Sequence, residues 1–228
     1  MLAHVAGGRF LPDPAAPSGL RYLPGGGEPR LVVGSRSGMV YRPKPDLGER
    51  MPEPYVVLTG ERVLEIAVRA ASVDHEREVM PLMFAELRRA LQREGFPELA
   101  DDQLLLTWLF PFGRRGGESP VPHRSTRDVL REALRAATDP DPAWVLIYRV
   151  LIALRIQVNR LTDLGAYTTE SVRQDIDGHL RNAFASWASG PPVLRARQVL
   201  ALEEAGLLRF TGPRMHLDID DEAGRYAV

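Results

Sequence analysis

The chain contains no cysteine. Structural disulfides, iron–sulfur clusters and thiolate zinc sites are therefore excluded, and a disulfide-stapled secreted domain is disfavoured. Histidine is sparse: His4, His75, His123, His179 and His216 are scattered, with no HxH or HExxH pair among them. No metal site is expected from that pattern. The sequence also lacks a GxSxG elbow, a GKS/T phosphate loop and a complete GxGxxG on a strand–helix turn. No self-contained nucleotide site can be read, and no catalytic residue is assigned. No apolar run reaches the roughly 18 residues that cross a bilayer. The opening MLAHVAGGRF has neither the basic nor the long apolar region of a signal peptide. A cytoplasmic protein without a membrane partner is expected. With 29 basic and 30 acidic side chains, a net charge of −1 gives no global field for nucleic acid.

What is present is a helical chain with β-like runs at both ends. Its 228 residues allow a substantial core. The fold class expected is α+β, predominantly α-helical, with short antiparallel β-ribbons flanking a helical domain. The divisions are a ribbon and proline-rich connector over 1–60, a helical substrate-side domain over 61–205 and a ribbon over 206–228. Leu20–Leu23 and Arg30–Val33 are short β-favouring runs around Pro24-Gly25-Gly26-Gly27-Glu28-Pro29, a breaker cluster that suits a hairpin loop. The apolar triplet Leu31-Val32-Val33 suits a strand covered on both faces. Gly34-Ser35-Arg36-Ser37-Gly38 follows, with free backbone N–H groups, hydroxyls and one positive charge suited to a phosphate or carboxylate. Pro43, Pro45, Pro52 and Pro54 then forbid regular helix.

Helical spacing begins at Glu61. Ser72, followed by Asp74 and Glu76, resembles an N-cap with an acidic first turn, and Pro81 demands a kink or a restart. Asp101-Asp102 can cap QLLLTWLF, and Ser125 has capping-box spacing to Asp128. Pro142 opens the most apolar stretch, in which Val150, Leu151, Leu154, Val158 and Leu161 share a side; Ile152 and Ile156 intrude on the polar arc, so packing on more than one face is expected. Thr168 or Thr169 can cap a short helix ending at Gly178, and Val193–Ala205 is an amphipathic helix closed by Gly206. A helix followed by β-like runs at 193–228 imitates a winged-helix DNA-binding end, with Arg195, Arg197, Arg209 and Arg214 as phosphate contacts. Asp218, Asp220, Asp221 and Glu222 on that wing would repel a phosphate backbone, so nucleic acid is disfavoured.

The order of several segments resembles the bacterial FAD-NAD(P)-binding family of flavoprotein oxidoreductases, itself distantly similar to flavin-dependent N-hydroxylating monooxygenases. The resemblance is carried by LRYLPGGGEPRLVVGSRSGMVYRPK, in which Leu20, Tyr22, Pro24, Glu28, Pro29, Leu31, Gly34, Ser35, Gly38 and Tyr41 fill family positions. It continues through VMPLMFAEL, TTESVRQDIDG, NAFASWASGPP and ALEEAGLLRFTGPRMHLDIDDEAGRYAV. Gly27, Val40 and His179-Leu180 depart from it, where the family has arginine, proline and an aromatic pair. The resemblance implies FAD and NAD(P) as cofactors, with Gly34, Ser35, Arg36, Gly38 and Tyr41 beside the dinucleotide. It implies Arg173, Asp175 and Asn182 on the substrate side. The family's two glycine fingerprints have no counterpart here. The expectation is therefore a truncated or partial member, holding the helical portion and no cofactor alone, with a small-molecule substrate or the missing dinucleotide-binding domain as partner. The alternative is a non-catalytic helical interaction module.

Overall fold

The computed structural model describes residues 7–26, 30–34, 42–45, 56–110, 125–139, 141–211, 218–220 and 225–227. In chain order its elements are β1 (Arg9–Pro12), β2 (Leu20–Leu23), β3 (Leu31–Val33), α1 (Gly60–Ala67), a π-helical turn π1 (His75–Val79), α2 (Met80–Arg93), α3 (Asp102–Leu109), α4 (Thr126–Thr138), α5 (Pro142–Asp163), a second π-helical segment π2 (Val172–Leu180), α6 (Arg181–Ala188), α7 (Val193–Glu204), β4 (Leu208–Phe210), β5 (Asp218–Asp220) and β6 (Arg225–Ala227). The fold is α+β and predominantly helical. Among the described residues no helix is long and apolar enough to cross a membrane. The chain gathers into two compact units, one of Asp46–His123 with Pro140–Gly190, the other of Met1–Pro45, Arg124–Asp139 and Pro191–Val228.

The first unit is all helical and built on α5. Asp141 caps it, accepting from the N–H groups of Ala143 at 2.8 Å and Trp144 at 3.4 Å, while Pro142 takes an early position where its missing N–H costs nothing. Ile147, Leu151, Leu154, Val158 and Leu161 are fully buried, and Ile156 is 57% exposed. Around this stripe pack Val63 and Ile66 of α1, Met83, Leu87 and Leu91 of α2, Leu105 and Leu109 of α3, and Phe184 and Trp187 of α6. The entry to α1 is fixed by Glu86 of α2. Its buried carboxylate accepts from three successive backbone N–H groups, those of Val56, Val57 and Leu58, at 2.9, 2.7 and 2.9 Å. Such a row of N–H groups is an anion cradle, and here the chain fills it with its own side chain.

In the second unit, β1 and β2 form an antiparallel ribbon from Arg9↔Leu23 to Pro12↔Leu20. Tyr22 is buried with Leu202, Leu207 and Leu208, and Phe10 lies tilted against it at 5.1 Å. A Cβ on Gly8 would fall 1.9 Å from the Tyr22 hydroxyl, so only glycine lets the ribbon begin there. Leu130 and Leu134 of α4 pack on Ala196 and Leu200 of α7, and the Arg127 Nε donates to Glu203 at 2.6 Å. β5 and β6 pair antiparallel.

Four local expectations are corrected. Leu20–Leu23 does not form a hairpin with Arg30–Val33: β2 pairs with β1, and β3 pairs in parallel with β4, Leu31↔Leu208 through Val33↔Phe210. The β3 triplet is not covered on both faces, since Val32 and Val33 are 47% and 39% exposed. Gly178 does not end a helix but lies inside π2. At the start of π1 the cap is Asp74 rather than Ser72. The Asp74 carboxylate accepts from the Arg77 N–H at 2.9 Å while Glu78 accepts from the Asp74 N–H at 3.0 Å. This is a capping box stretched by one residue to fit the wider turn.

Candidate functional site

Two π-helical segments in one small helical unit are unusual, because π-helix accounts for well under 1% of residues and concentrates at functional sites. Each segment has a local cause. π1 runs directly into Met80-Pro81, and the widened turn puts the proline at the start of α2, where no N–H is needed. In π2 the five-residue repeat brings Gly178 over the Arg173 carbonyl, where a Cβ would sit at 3.2 Å, so glycine eases the wide turn. The chain before π1 is stitched to the chain before π2. Ala71 N–H donates to the Gly165 carbonyl at 2.8 Å, Val73 N–H to Ala166 at 3.1 Å, and Thr168 N–H to Val73 at 3.0 Å. Those bonds set the two segments side by side, 96 residues apart in sequence at His75 and Ser171.

Their buried faces are polar. His75 is 1% exposed, and its backbone N–H donates to Ser171 Oγ at 2.9 Å. Its Nδ1 lies 3.4 Å from the Tyr167 hydroxyl, with the two rings edge-to-face at 5.5 Å. Asp175 and His179, one π turn apart on π2, are also buried, and Phe110 meets the His179 ring edge-on at 5.1 Å. Burial pushes the His75 pKa down to about 4; the Asp175 carboxylate opposes the shift and His179 reinforces it. Burial likewise raises the Tyr167 hydroxyl above its ordinary value. At neutral pH His75 is thus an uncharged imidazole, and its Nε2 has no hydrogen-bond partner among the described residues. Buried polar atoms are nearly always paired, so this open nitrogen marks the knot as more than packing. Chemically, it offers one hydrogen-bonding nitrogen beside a buried carboxylate and a buried phenol. Among the described residues no group of three or more acidic or histidine side chains is placed to hold a metal.

The structure treats the residues singled out from sequence unequally. Asp175 enters the knot. Arg173 is exposed and paired with Glu170 at 3.0 Å, and Asn182 is exposed on α6, so these three do not share one surface. Gly34 closes β3, whereas Ser35, Arg36, Gly38 and Tyr41 lie outside the described residues. His75, Tyr167, Ser171 and His179 were not singled out. The one signal for them was Pro81, which announced an interrupted helix just after His75. A second cluster on the same unit, Trp144 stacked on Tyr148 at 5.5 Å and tilted to Trp187 at 5.7 Å, is an aromatic wall of α5 and α6.

No family model matches the chain. It is similar to curated proteins from bacteria and a fungus. It is 29% identical to an L-aspartate N-monooxygenase (nitrosuccinate-forming) of Streptomyces cremeus, over 90% of this chain and 37% of that protein. It is 28% identical to a nitrosuccinic acid synthase of Aspergillus oryzae, over 98% of this chain and 40% of that protein. An L-aspartate N-monooxygenase of Streptomyces davaonensis is 27% identical over 88% of this chain and 37% of its own length. The chain therefore spans about two fifths of the length of the curated relatives it matches, and what it resembles is a monooxygenase segment.

Proposed function

We propose that the chain forms the helical, substrate-side portion of a flavin- and nicotinamide-dependent monooxygenase that oxidises the amine of a small amino acid. One observation carries this reading: two bacterial L-aspartate N-monooxygenases and a fungal nitrosuccinic acid synthase match along 88–98% of the chain rather than along one motif. The flavin and NAD(P) enter by the family resemblance. When bound, a flavin supplies the oxygen-activating chemistry, and the protein supplies orientation and exclusion of water. Among the described residues no glycine-rich strand-to-helix turn cradles a dinucleotide, so the flavin would be held by a domain outside them.

The contribution of this chain is then binding and orientation. The knot at π1 and π2 fixes the wall on the substrate side, with His75 as a positioning residue that keeps Tyr167 and Asp175 in place without carrying charge. The test uses a hybrid in which this chain replaces the matched segment of the Streptomyces cremeus enzyme. The expected result is a yellow protein whose oxygen uptake depends on NAD(P)H and on L-aspartate or another small amino acid. In that hybrid, His75→Gln should lower turnover on the order of tenfold, short of the hundredfold or more lost with a direct general base, and should leave flavin retention unchanged. A folded, flavin-loaded hybrid that oxidises no amine contradicts the reading.

A further inference from the structure

Gly60, Leu64 and Val68 recur every fourth residue along α1 and its C-terminal cap, and Ile156, Arg160 and Leu164 do the same along α5 and its cap. Residues at that spacing form one ridge on a helix surface. The two ridges meet. A Cβ on Gly60 would lie 3.4 Å from an Arg160 guanidinium nitrogen. The Ala71 N–H donates to the Gly165 carbonyl at 2.8 Å, which ties the chain after α1 to the chain after α5. The apolar side chains of this shared face are bare: Leu64 is 49% exposed, Val68 82%, Ile156 57% and Leu164 45%. Apart from Val56, just ahead of α1, these are the large apolar side chains that the helical unit leaves exposed among its described residues. A single exposed leucine is ordinary. Four apolar residues on two adjoining ridges make a patch of roughly a few hundred Å², the scale that marks an interaction surface.

The charges of the face are divided between its two helices. Glu61 flanks the α1 ridge and Arg160 stands in the α5 ridge; both are exposed, and among the described residues neither has an ion-pair partner. Glu65, by contrast, is held by Arg62 of its own helix at 2.7 Å. We infer that this face is a two-fold contact between two copies of the chain, with the α1 ridge of each copy lying on the α5 ridge of the other. A two-fold contact requires a surface that complements itself, and this one does so in shape and in charge. Gly60 leaves the α1 ridge one side chain short, which gives room to Ile156 of the other copy. Glu61 beside that gap meets Arg160 of the other copy, and symmetry makes each pairing twice. Two such faces with their charged rims approach the roughly 1,200 Å² at which specific interfaces begin. The inference goes beyond the redox reading and holds whether or not the chain oxidises an amine.

Sedimentation equilibrium of the full chain should show reversible monomer–dimer exchange, with a dissociation constant on the order of micromolar. Leu64→Glu and Val68→Glu change exposed side chains, so the helical circular dichroism should stay intact. Each should weaken the dimer about tenfold or more, because two-fold symmetry applies every change twice. Glu61→Arg and Arg160→Glu set like charges against each other across the contact and should each weaken it by a similar factor. The two combined should restore the dimer, a rescue that no folding defect imitates. A chain that stays monomeric up to its solubility limit overturns the inference. So does a dimer indifferent to all four substitutions, which would lie on another face. A monomer whose α1 amides gain hydrogen-exchange protection only in the hybrid with the Streptomyces cremeus relative would give the face to the rest of the protein, and it too overturns the inference.

Discussion

His75 gives the sharpest expectation at the scale of single residues. Its folded pKa of about 4 lies below the ordinary 6.5 because burial disfavours the imidazolium. The unfolded chain therefore binds the extra proton first, and stability falls as pH drops from about 6.5 through about 4. The full loss is on the order of 3 kcal/mol. The groups facing this ring are Asp175, His179 and Tyr167 across the knot and Asp74 and Glu76 beside it. Urea titrations at pH 7 and pH 4.5 should show the drop, and His75→Gln should flatten it. Persistence of the full slope in that variant would assign it elsewhere. The Glu78 carboxylate, held low by Arg69 and the Asp74 N–H, loses its own contribution as pH falls through the ordinary carboxylate value, which meets the lower end of the His75 window, so the His75→Gln comparison is what isolates the histidine share. Glu86→Ala leaves three backbone N–H groups without their acceptor; a loss of about 3 kcal/mol is expected by denaturant unfolding.

At the scale of elements, caps and apolar stripes were legible where one short stretch of sequence decides them. Asp101 caps α3, Ser125 caps α4, Pro142 opens α5, and the α5 stripe of Leu151, Leu154, Val158 and Leu161 is the buried one. Leu154→Ala should therefore cost about 2–5 kcal/mol in thermal or urea unfolding. Strand partners were not legible, because pairing is chosen by distant chain: β3 reaches β4 across some 175 residues, while the nearby β2 is taken by β1. Nor was the knot legible. A π turn has no periodic signature of its own, and the histidines that meet across it lie about 100 residues apart, at 75 and 179. Asp175 was named for the substrate side by resemblance, yet its burial against His75 is a fact of tertiary packing alone.

At the scale of the whole molecule, the chain spans about two fifths of the length of the curated relatives it matches. On the proposed reading, the helical unit with its polar knot supplies binding and orientation to a flavin-dependent oxidation. The measurement that tests this most directly is amino-acid-dependent oxygen uptake by the flavin-loaded hybrid. The account predicts uptake that requires both NAD(P)H and a small amino acid and that falls on the order of tenfold in His75→Gln, short of a direct base's loss. A folded, yellow hybrid that consumes no oxygen with any such amine, or one indifferent to His75, would contradict it.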